Sequence, residues 1–273
     1  MKLYRLVWCV VLCWLTPALG QVTVELVQDT SQFLIGESIP LAVRITNRSG
    51  QTLRLGDDPD WLIFAIERRD GNSSIIAKIS EVPVVGGFDL ETSQVATKRI
   101  QDLTPHFSLD GSGSYAVSAT VRVTAWNREF TGAPKVFQLI HGTKMWEREI
   151  GLSGTTGDMP ETRHYSLVQA NYQRSQLRLY LKVTDASGLK LVRLTLLGNM
   201  VSFGRPEPQM DRKNHLHVLF QNGPHSCNYA VCDPDGQIIK QEIYDFAGTR
   251  PRLRLDEAGD GYVTGGVIRK PPE

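Results

Sequence analysis

Hydrophobic residues recur at every second position along much of the first half of this chain. Between residues 39 and 46 the odd-numbered positions are isoleucine, leucine or valine, while the even-numbered ones include Arg44 and Thr46, and the stretch from Tyr115 to Thr124 repeats this pattern. Successive side chains of a strand point to opposite faces of a sheet, so such alternation is typical of half-buried β-strands. Long helical periodicity is nearly absent. The pattern therefore predicts an all-β protein.

Turn-forming residues divide the alternating runs into segments of strand length. Glycine, aspartate, asparagine, serine and proline cluster at 47–50, 56–60, 70–73, 86–87 and 110–113. Between these clusters the sequence predicts strands at 22–27, 39–47, 61–68, 75–80, 93–101, 114–126 and 134–141. About seven short strands at this spacing indicate an antiparallel β-sandwich.

Two local features lie where an immunoglobulin-like sandwich has its own. Gly113-Ser114-Tyr115-Ala116-Val117 matches the tyrosine corner at the start of strand F, and Trp61 stands near the expected start of strand C. On these residues the first half, 21–152, resembles bacterial immunoglobulin-like modules, and the resemblance implies structural roles for Tyr115 and Trp61. The chain departs from the family at the inter-sheet disulfide, because Val117 occupies the expected cysteine position.

A polar segment, residues 153–161, is expected to be a linker, and the chain beyond it repeats itself. Residues 183–188 match residues 231–236 at an offset of 48, and residues 205–218 match residues 250–263 at an offset of 45. Asp233-Pro234-Asp235-Gly236 predicts a type I turn followed by a glycine in the left-handed conformation, so Asp233 and Gly236 are expected to be structural.

A repeat of this length, with short strands and Asp/Gly turns, resembles the blade of a β-propeller. Residues 162–273 hold about two and a half such units, fewer than the four blades of the smallest closed propeller. We therefore predict a smaller antiparallel β-meander domain, either packed on the first domain or completed by other copies. The ending, Pro251-Arg252-Leu253 followed by the glycine-rich stretch 259–266, also resembles that of secreted bacterial proteins.

The first 20 residues have the pattern of a secretory signal peptide. Lys2 and Arg5 give a positive start, an apolar stretch follows, and Ala18-Leu19-Gly20 places small residues before Gln21. We expect cleavage near Gly20, a secreted or periplasmic protein, and no membrane anchor after cleavage.

The charge of the chain narrows the classes of possible partner. The 30 basic and 29 acidic residues give a formal net charge of +1 with no basic run, so no nucleic-acid partner is expected.

Cys227 and Cys232 are five residues apart in an extended segment, too far for a disulfide, and an odd spacing points them to opposite faces. We expect two packed thiols.

Two clusters are candidate metal sites, although in each case a purely structural interpretation is the simpler one. His215 and His217 lie two residues apart on a predicted strand and therefore share a face, with Asp211 nearby. The alternative is that His217 fills a packing position, because the matching residue of the repeat is Tyr262. The acidic loop containing Asp57, Asp58 and Asp60 could offer oxygen ligands to calcium, or could be a solvated turn.

No nucleophile elbow, phosphate loop or zinc-protease motif is present, so no catalytic residue and no cofactor is predicted. The leading hypothesis is a non-enzymatic protein-binding module, which acts through open sheet edges on a protein partner or on a second copy of itself. Carbohydrate binding is the first alternative and requires exposed coplanar aromatic residues. Trp126, however, is expected to cover the domain junction. A hydrolase with carboxylate or metal chemistry between the domains is the second alternative.

Overall fold

The computed structural model describes residues 22–71, 73–152, 161–172 and 176–270. The expected signal peptide and the expected linker up to residue 160 lie outside these ranges. Among the described residues no helix has the length and apolar character needed to cross a membrane.

The chain is all-β, as predicted. Its strands are β1 (Val22–Val27), β2 (Gln32–Leu34), β3 (Leu41–Asn47), β4 (Leu53–Leu55), β5 (Leu62–Arg68), β6 (Ser74–Ile75), β7 (Phe88–Leu90), β8 (Val95–Ile100), β9 (Gly113–Val123), β10 (Arg128–Thr131), β11 (Lys135–Ile140), β12 (Thr143–Leu152), β13 (Glu161–Tyr172), β14 (Gln176–Asp185), β15 (Leu191–Met200), β16 (Glu207–Met210), β17 (Leu216–Gly223), β18 (Ser226–Cys232), β19 (Ile238–Asp245), β20 (Arg252–Leu255), β21 (Gly261–Thr264) and β22 (Val267–Ile268). Short 3-10 helices at Thr104–His106 and Thr124–Trp126 are the helical elements of the described chain.

The first half is a β-sandwich. One sheet has the order β1-β3-β8, and the other has the order β2-β11-β9-β5-β6 with β10 beside β9. The pairing is antiparallel except between β2 and β11, which run parallel. The alternating residues seen in the sequence form the core between the sheets, where Val43, Ile45 and Val121 are fully buried. This arrangement agrees with the predicted immunoglobulin-like sandwich.

The predicted strand at 75–80 is wrong in length. Only Ser74–Ile75 forms a strand there, with a single further bridge from Lys78 to Phe107. Ile76 packs against the core, but Ile75 and Ile79 are exposed, so the segment has too small a core face to hold a longer strand in the sheet.

The second half contains two further sheets that pack face to face. β12-β13-β14-β15 and β16-β17-β18-β19 each follow chain order, so each is an antiparallel meander, and β22 is added beside β19. Residues of both sheets, among them Leu181 and Phe220, share one core. The β20-β21 hairpin covers the other face of the second meander over a smaller core that contains Tyr229 and Leu253.

The expected boundary at residue 152 falls at the end of β12. That strand pairs along its length with β13 and thus joins the second group of sheets. The expected linker connects these two paired strands, and its last residue, Glu161, is already the first residue of β13.

Among the described residues, the two halves contact each other through a small apolar cluster and through a hydrogen bond. Leu34 and Ile140 of the first half pack with Val168, Ala170 and Tyr180 on the outer face of the first meander. The Tyr180 hydroxyl also donates to the Glu37 carboxylate, with O–O distances of 3.2 and 3.3 Å. We call this region, residues 34–37 and 140 with 168, 170 and 180, the junction.

Candidate functional site

The two residues assigned structural roles by the immunoglobulin-like resemblance are buried in the first sandwich. Tyr115 is 1% exposed, and its hydroxyl donates to the Gly111 carbonyl at 2.7 Å, the geometry of a tyrosine corner. Trp61 is also 1% exposed and donates its ring N–H to the Val84 carbonyl at 3.0 Å. Val117, at the position of the missing cysteine, is fully buried in the same core.

Four hairpins of the second half, β14–β15, β16–β17, β18–β19 and β20–β21, turn in the same way. The third residue after the aspartate has a positive φ and donates its N–H to the aspartate carbonyl. At Asp233 the side chain also accepts the N–H groups of Asp235 and Gln237, and Gly236 has φ of +78°. The turns begin at Asp185, Asp211, Asp233 and Asp256. The repeat found in the sequence therefore corresponds to a repeated hairpin turn.

Asp211, His215 and His217 do come together, around one carboxylate. Asp211 Oδ2 lies 2.9 Å from His215 Nδ1 and 3.3 Å from His217 Nε2, while Oδ1 accepts the backbone N–H groups of Lys213 and His215. The other ring nitrogen of His217 lies 2.7 Å from the Tyr229 hydroxyl. Both nitrogens of His217 are therefore engaged with protein groups.

The protonation pattern of this network follows from what each group can donate. An ionised carboxylate only accepts, so a neutral His217 carries its proton on Nε2, and Nδ1 accepts from Tyr229. Burial alone would raise the pKa of Asp211, but the N–H of His215, the His217 ring and the N–H of Lys213 together lower it. In the described part of the chain no group of three His, Cys, Asp or Glu side chains is arranged to hold a metal ion.

The acidic loop is held by protein groups as well. Asp57 pairs with Arg54 at 2.8 Å, and Asp58 accepts the Thr124 hydroxyl at 2.6 Å. The guanidinium of Arg54 lowers the pKa of Asp57. Asp60 is exposed. The three carboxylates therefore do not converge on one point.

The two cysteines of the second half are buried and unpaired, as predicted. Cys232 lies in the core between the two meanders, whereas Cys227 lies in the smaller core under the β20-β21 hairpin. They thus occupy opposite faces of β18. Burial and the nearby Asp233 raise the pKa of Cys232 to about 12, so its thiol stays protonated at neutral pH.

The expectation that Trp126 covers the junction is wrong. It is half-buried against the core of the first sandwich and meets Phe130 edge to face. Trp146 packs against the core of the second sandwich. The strongly exposed aromatic residues of the described chain are Phe203 and Tyr262, and no ring contact joins them.

A groove at the open end of the second sandwich is the site that sequence reasoning missed. Its volume is about 730 Å³, and it lies between the end of β15 and the outer side of β19. Four amide side chains line it together with Glu242, Ile243 and the segment from Ile268 to Lys270. The amides are Asn199, Asn222, Asn228 and Gln241.

A β-bulge fixes the inner wall of this groove. The register between β14 and β15 shifts at Leu197, whose carbonyl turns away from the ladder. That carbonyl accepts the side-chain N–H groups of Asn228 at 2.8 Å and of Gln241 at 2.9 Å. Both amides are held in place before any ligand arrives, which reduces the entropy lost on binding.

One amide of this wall is incompletely bonded. Asn228 is 5% exposed, and its Oδ1 has no hydrogen-bond donor among the described residues. Buried acceptors without a partner are rare because each costs free energy. This oxygen has less than 1 Å² of accessible surface, so it is enclosed by the wall of the groove and is not open to a ligand in it.

Part of the β19 backbone has no described strand beside it on the side that faces the groove. The Phe246 N–H donates to the His225 carbonyl, so these two residues are a hydrogen-bonded pair of the β18–β19 ladder. Hydrogen-bonded and non-hydrogen-bonded pairs alternate along an antiparallel ladder. The backbone groups of Gln241 and Ile243 therefore point away from β18. The Ile243 carbonyl accepts the Arg269 N–H at 2.7 Å, but β22 pairs only with Tyr244 and Asp245, so no described strand reaches Gln241.

The sequence carries only a partial signal for this groove. Asn228 and Gln241 lie far apart from Gly198 in the sequence, and single amides among strand residues carry no motif. The two prolines at 271 and 272 were a partial signal, because they lack the N–H needed to lengthen β22 along β19.

Comparisons with known proteins add little. No protein-family model matches the chain, and a search of curated proteins gives no significant match. Among solved structures, Spo0M, a sporulation control protein from Bacillus subtilis, matches over 66% of this chain and 91% of its own, with 9% identity and a TM-score of 0.34. A likeness at this score supports no statement about function.

Proposed function

We propose that this chain is a non-catalytic protein-binding module that takes an extended segment of a partner as an added strand along β19. The observation that carries the proposal is that, among the described residues, no strand pairs with the backbone of Gln241 at the groove. Strand addition draws its affinity from main-chain hydrogen bonds and its specificity from side-chain pockets. With the leader predicted from the sequence, the partner would be a protein of the bacterial envelope or the exterior.

The contrast with the edge strand β12 supports the choice of β19. β12 carries Lys144, Glu147 and Glu149, and the first two form an ion pair at 2.5 Å. Charged side chains along an edge oppose the addition of another strand. β19 carries the charged pair Lys240 and Glu242 at 3.1 Å, but unlike β12 it borders a groove, and four amide side chains line that groove.

Peptides selected on the purified chain from a random-peptide phage library test the proposal. Each selected peptide is then resynthesised with one backbone N–H methylated at a time. We expect affinity to fall at every second position, about fivefold or more per lost bond, because only alternate N–H groups of an added strand face β19. Peptides without this period of two would contradict strand addition.

Two variants at Gln241 locate the site. Gln241→Pro removes both the backbone N–H and the side-chain amide, while Gln241→Ala removes only the amide. Proline is tolerated at an edge position whose N–H faces solvent, so both variants are expected to fold. We expect the peptides to bind Gln241→Ala clearly better than Gln241→Pro; equal binding by both would place the peptides elsewhere.

A further inference from the structure

Another cavity lies on the outer face of the sheet β1-β3-β8, in the half of the chain that does not contain the groove beside β19. Its volume is about 840 Å³, and it is bordered by the loop after β1, the start of β3 and the end of β8. Val27, Ala42 and Arg99 stand side by side across these three strands. Because Ala42 is small, the middle of this row is a depression between two longer side chains.

Three charged side chains line the cavity, and two of them have no partner. Arg44 lies 3.6 Å from Glu25, so the charges of this exposed pair offset each other. Asp29 and Arg99 form no hydrogen bond or ion pair with any described residue, and therefore none with each other. A simple anion in the cavity would be repelled by Asp29 and a simple cation by Arg99, whereas a ligand with both charges can use both side chains.

The spacing of the strands sets the length of a ligand that can join these two charges. Arg99 lies on β8 and Asp29 follows β1, and β3 separates the two strands. Neighbouring strands are about 5 Å apart, so the backbones at these two residues are at least about 10 Å apart. The long side chain of Arg99 covers part of this distance. The remaining gap suits a ligand whose opposite charges are separated by a peptide unit instead of being carried on one carbon atom.

The rest of the lining matches the body of such a ligand. Thr30, Thr97 and Gln101 offer side-chain groups that can donate to or accept from a peptide bond. We propose that this cavity binds a short peptide with both termini free, its carboxylate at Arg99 and its ammonium group at Asp29. A guanidinium can hold a carboxylate through two parallel hydrogen bonds, which would fix the direction of the peptide in the cavity.

Titration of the ¹⁵N-labelled chain with alanyl-alanine, followed through the amide shifts of Ala42 and Thr97, tests this proposal. N-acetyl-alanyl-alanine keeps only the carboxylate, and alanyl-alanine amide keeps only the ammonium group. We expect each blocked peptide to bind about threefold to fivefold more weakly than the free dipeptide, which corresponds to the loss of one exposed ion pair. Free alanine is also expected to bind more weakly, because its two charges lie too close together to reach both side chains.

Two substitutions of exposed residues assign each terminus to its partner, and both variants are expected to fold. In Arg99→Gln the free dipeptide and its amide are expected to bind equally, while the acetylated form remains weaker. In Asp29→Asn the free dipeptide and its acetylated form are expected to bind equally, while the amide remains weaker. Arg128→Gln is the matched control, since Arg128 is exposed on β10 and does not line the cavity, and it should keep both differences.

Several outcomes overturn the proposal. One is the absence of any shift at Ala42 and Thr97, and another is equal binding of the free and blocked dipeptides, or of alanine and alanyl-alanine, to the wild-type chain. Differences that survive unchanged in Arg99→Gln and Asp29→Asn also overturn it, because they would arise from charges elsewhere. None of these results bears on strand addition at β19, since this cavity lies on the first sandwich.

Discussion

At the scale of single residues, the network around Asp211 shows how one carboxylate organises its surroundings. The carboxylate accepts hydrogen bonds from two backbone N–H groups of its own turn and from two imidazole rings. His217 is hydrogen-bonded in turn to the Tyr229 hydroxyl. The Tyr229 hydroxyl lies 3.2 Å from the Gly261 carbonyl, so the network links β17 and β18 to β21. Its role in the fold is to hold the covering hairpin.

A single substitution can reverse which group donates in each of these hydrogen bonds. In Asp211→Asn the side-chain NH₂ must donate to Nε2 of His217, so the ring proton moves to Nδ1 and Tyr229 donates to Gly261 instead. We expect the ¹⁵N shifts of the His217 ring to change from the Nε2–H to the Nδ1–H tautomer, with most of the stability retained. An Nε2–H ring in the variant would contradict this network.

Removing the side chain is expected to be more costly. Asp211→Ala leaves the turn N–H groups and both imidazoles without their acceptor, at an expected loss of about 2–3 kcal/mol in the free energy of unfolding. Asp256→Ala is the matched control, because its turn has the same geometry without the imidazoles, and we expect a loss of about 1 kcal/mol there. Urea denaturation measures both; equal losses would show that the imidazoles contribute nothing.

The lowered pKa of Asp211 also sets a pH dependence with a definite sign. An aspartate with a depressed folded-state pKa stabilises the fold above its unfolded-state value, and this contribution is lost as the pH falls through the folded-state value. We expect the wild-type chain to lose more stability in acid than Asp211→Asn does. Parallel acid-denaturation curves for the two chains would contradict this expectation.

At the scale of elements, the hairpin turns divide into those that pack and those that do not. Gly188 and Gly236 occupy equivalent positions with φ of +71° and +78°. A Cβ on Gly188 would meet open space, whereas one on Gly236 would lie 2.7 Å from a methyl group of Val183. Turns of the same type are therefore exposed at Gly188 and packed against the core at Gly236.

Two alanine substitutions separate backbone strain from packing. Gly188→Ala is expected to cost about 1 kcal/mol, the penalty for a side chain in the left-handed conformation. Gly236→Ala is expected to cost at least about 1 kcal/mol more, because Val183 must also move. Thermal or urea unfolding of both variants measures the difference, and equal costs would mean that the core adapts freely around Val183.

The elements also show what the sequence can and cannot predict. Alternation located β3, β5, β8 and β9 within a few residues, because it reports directly which side of a strand is buried. It could not reveal that β12 pairs with β13, since alternation does not specify a partner. The parallel contact of β2 with β11 was missed for the same reason, because Gln32 and Gln138 are brought together only by the folded sandwich.

At the scale of the whole molecule, the two halves are linked by a titratable contact. Burial at the junction raises the pKa of Glu37, an effect that hydrogen bonds from the Leu34 N–H and the Tyr180 hydroxyl and the charge of Arg178 partly offset. Burial and the proximity of Glu37 also raise the pKa of Tyr180 to about 12, so this hydroxyl remains a donor at neutral pH.

The raised pKa of Glu37 predicts that the junction is most stable in acid. For a carboxyl with a raised folded-state pKa, the folded form binds the proton more tightly, so this contribution fades as the pH rises from the unfolded-state value through the folded-state value. Glu37→Gln keeps the acceptor and removes the ionisation. We expect it to flatten this part of the stability profile, measured by thermal unfolding across pH, while exposed Glu257→Gln leaves the profile unchanged.

The chain-order pairing of the second half has a consequence for the time course of folding. β14 to β19 pair with sequence neighbours across short turns, whereas the sheets of the first half join distant segments such as β5 with β9 and β2 with β11. Because closing long loops slows folding, the C-terminal hairpins are expected to form first. Pulse-labelled hydrogen exchange during refolding should then protect β18 and β19 before β2 and β11, so of these strands the later ones in the chain would be the first to become ordered.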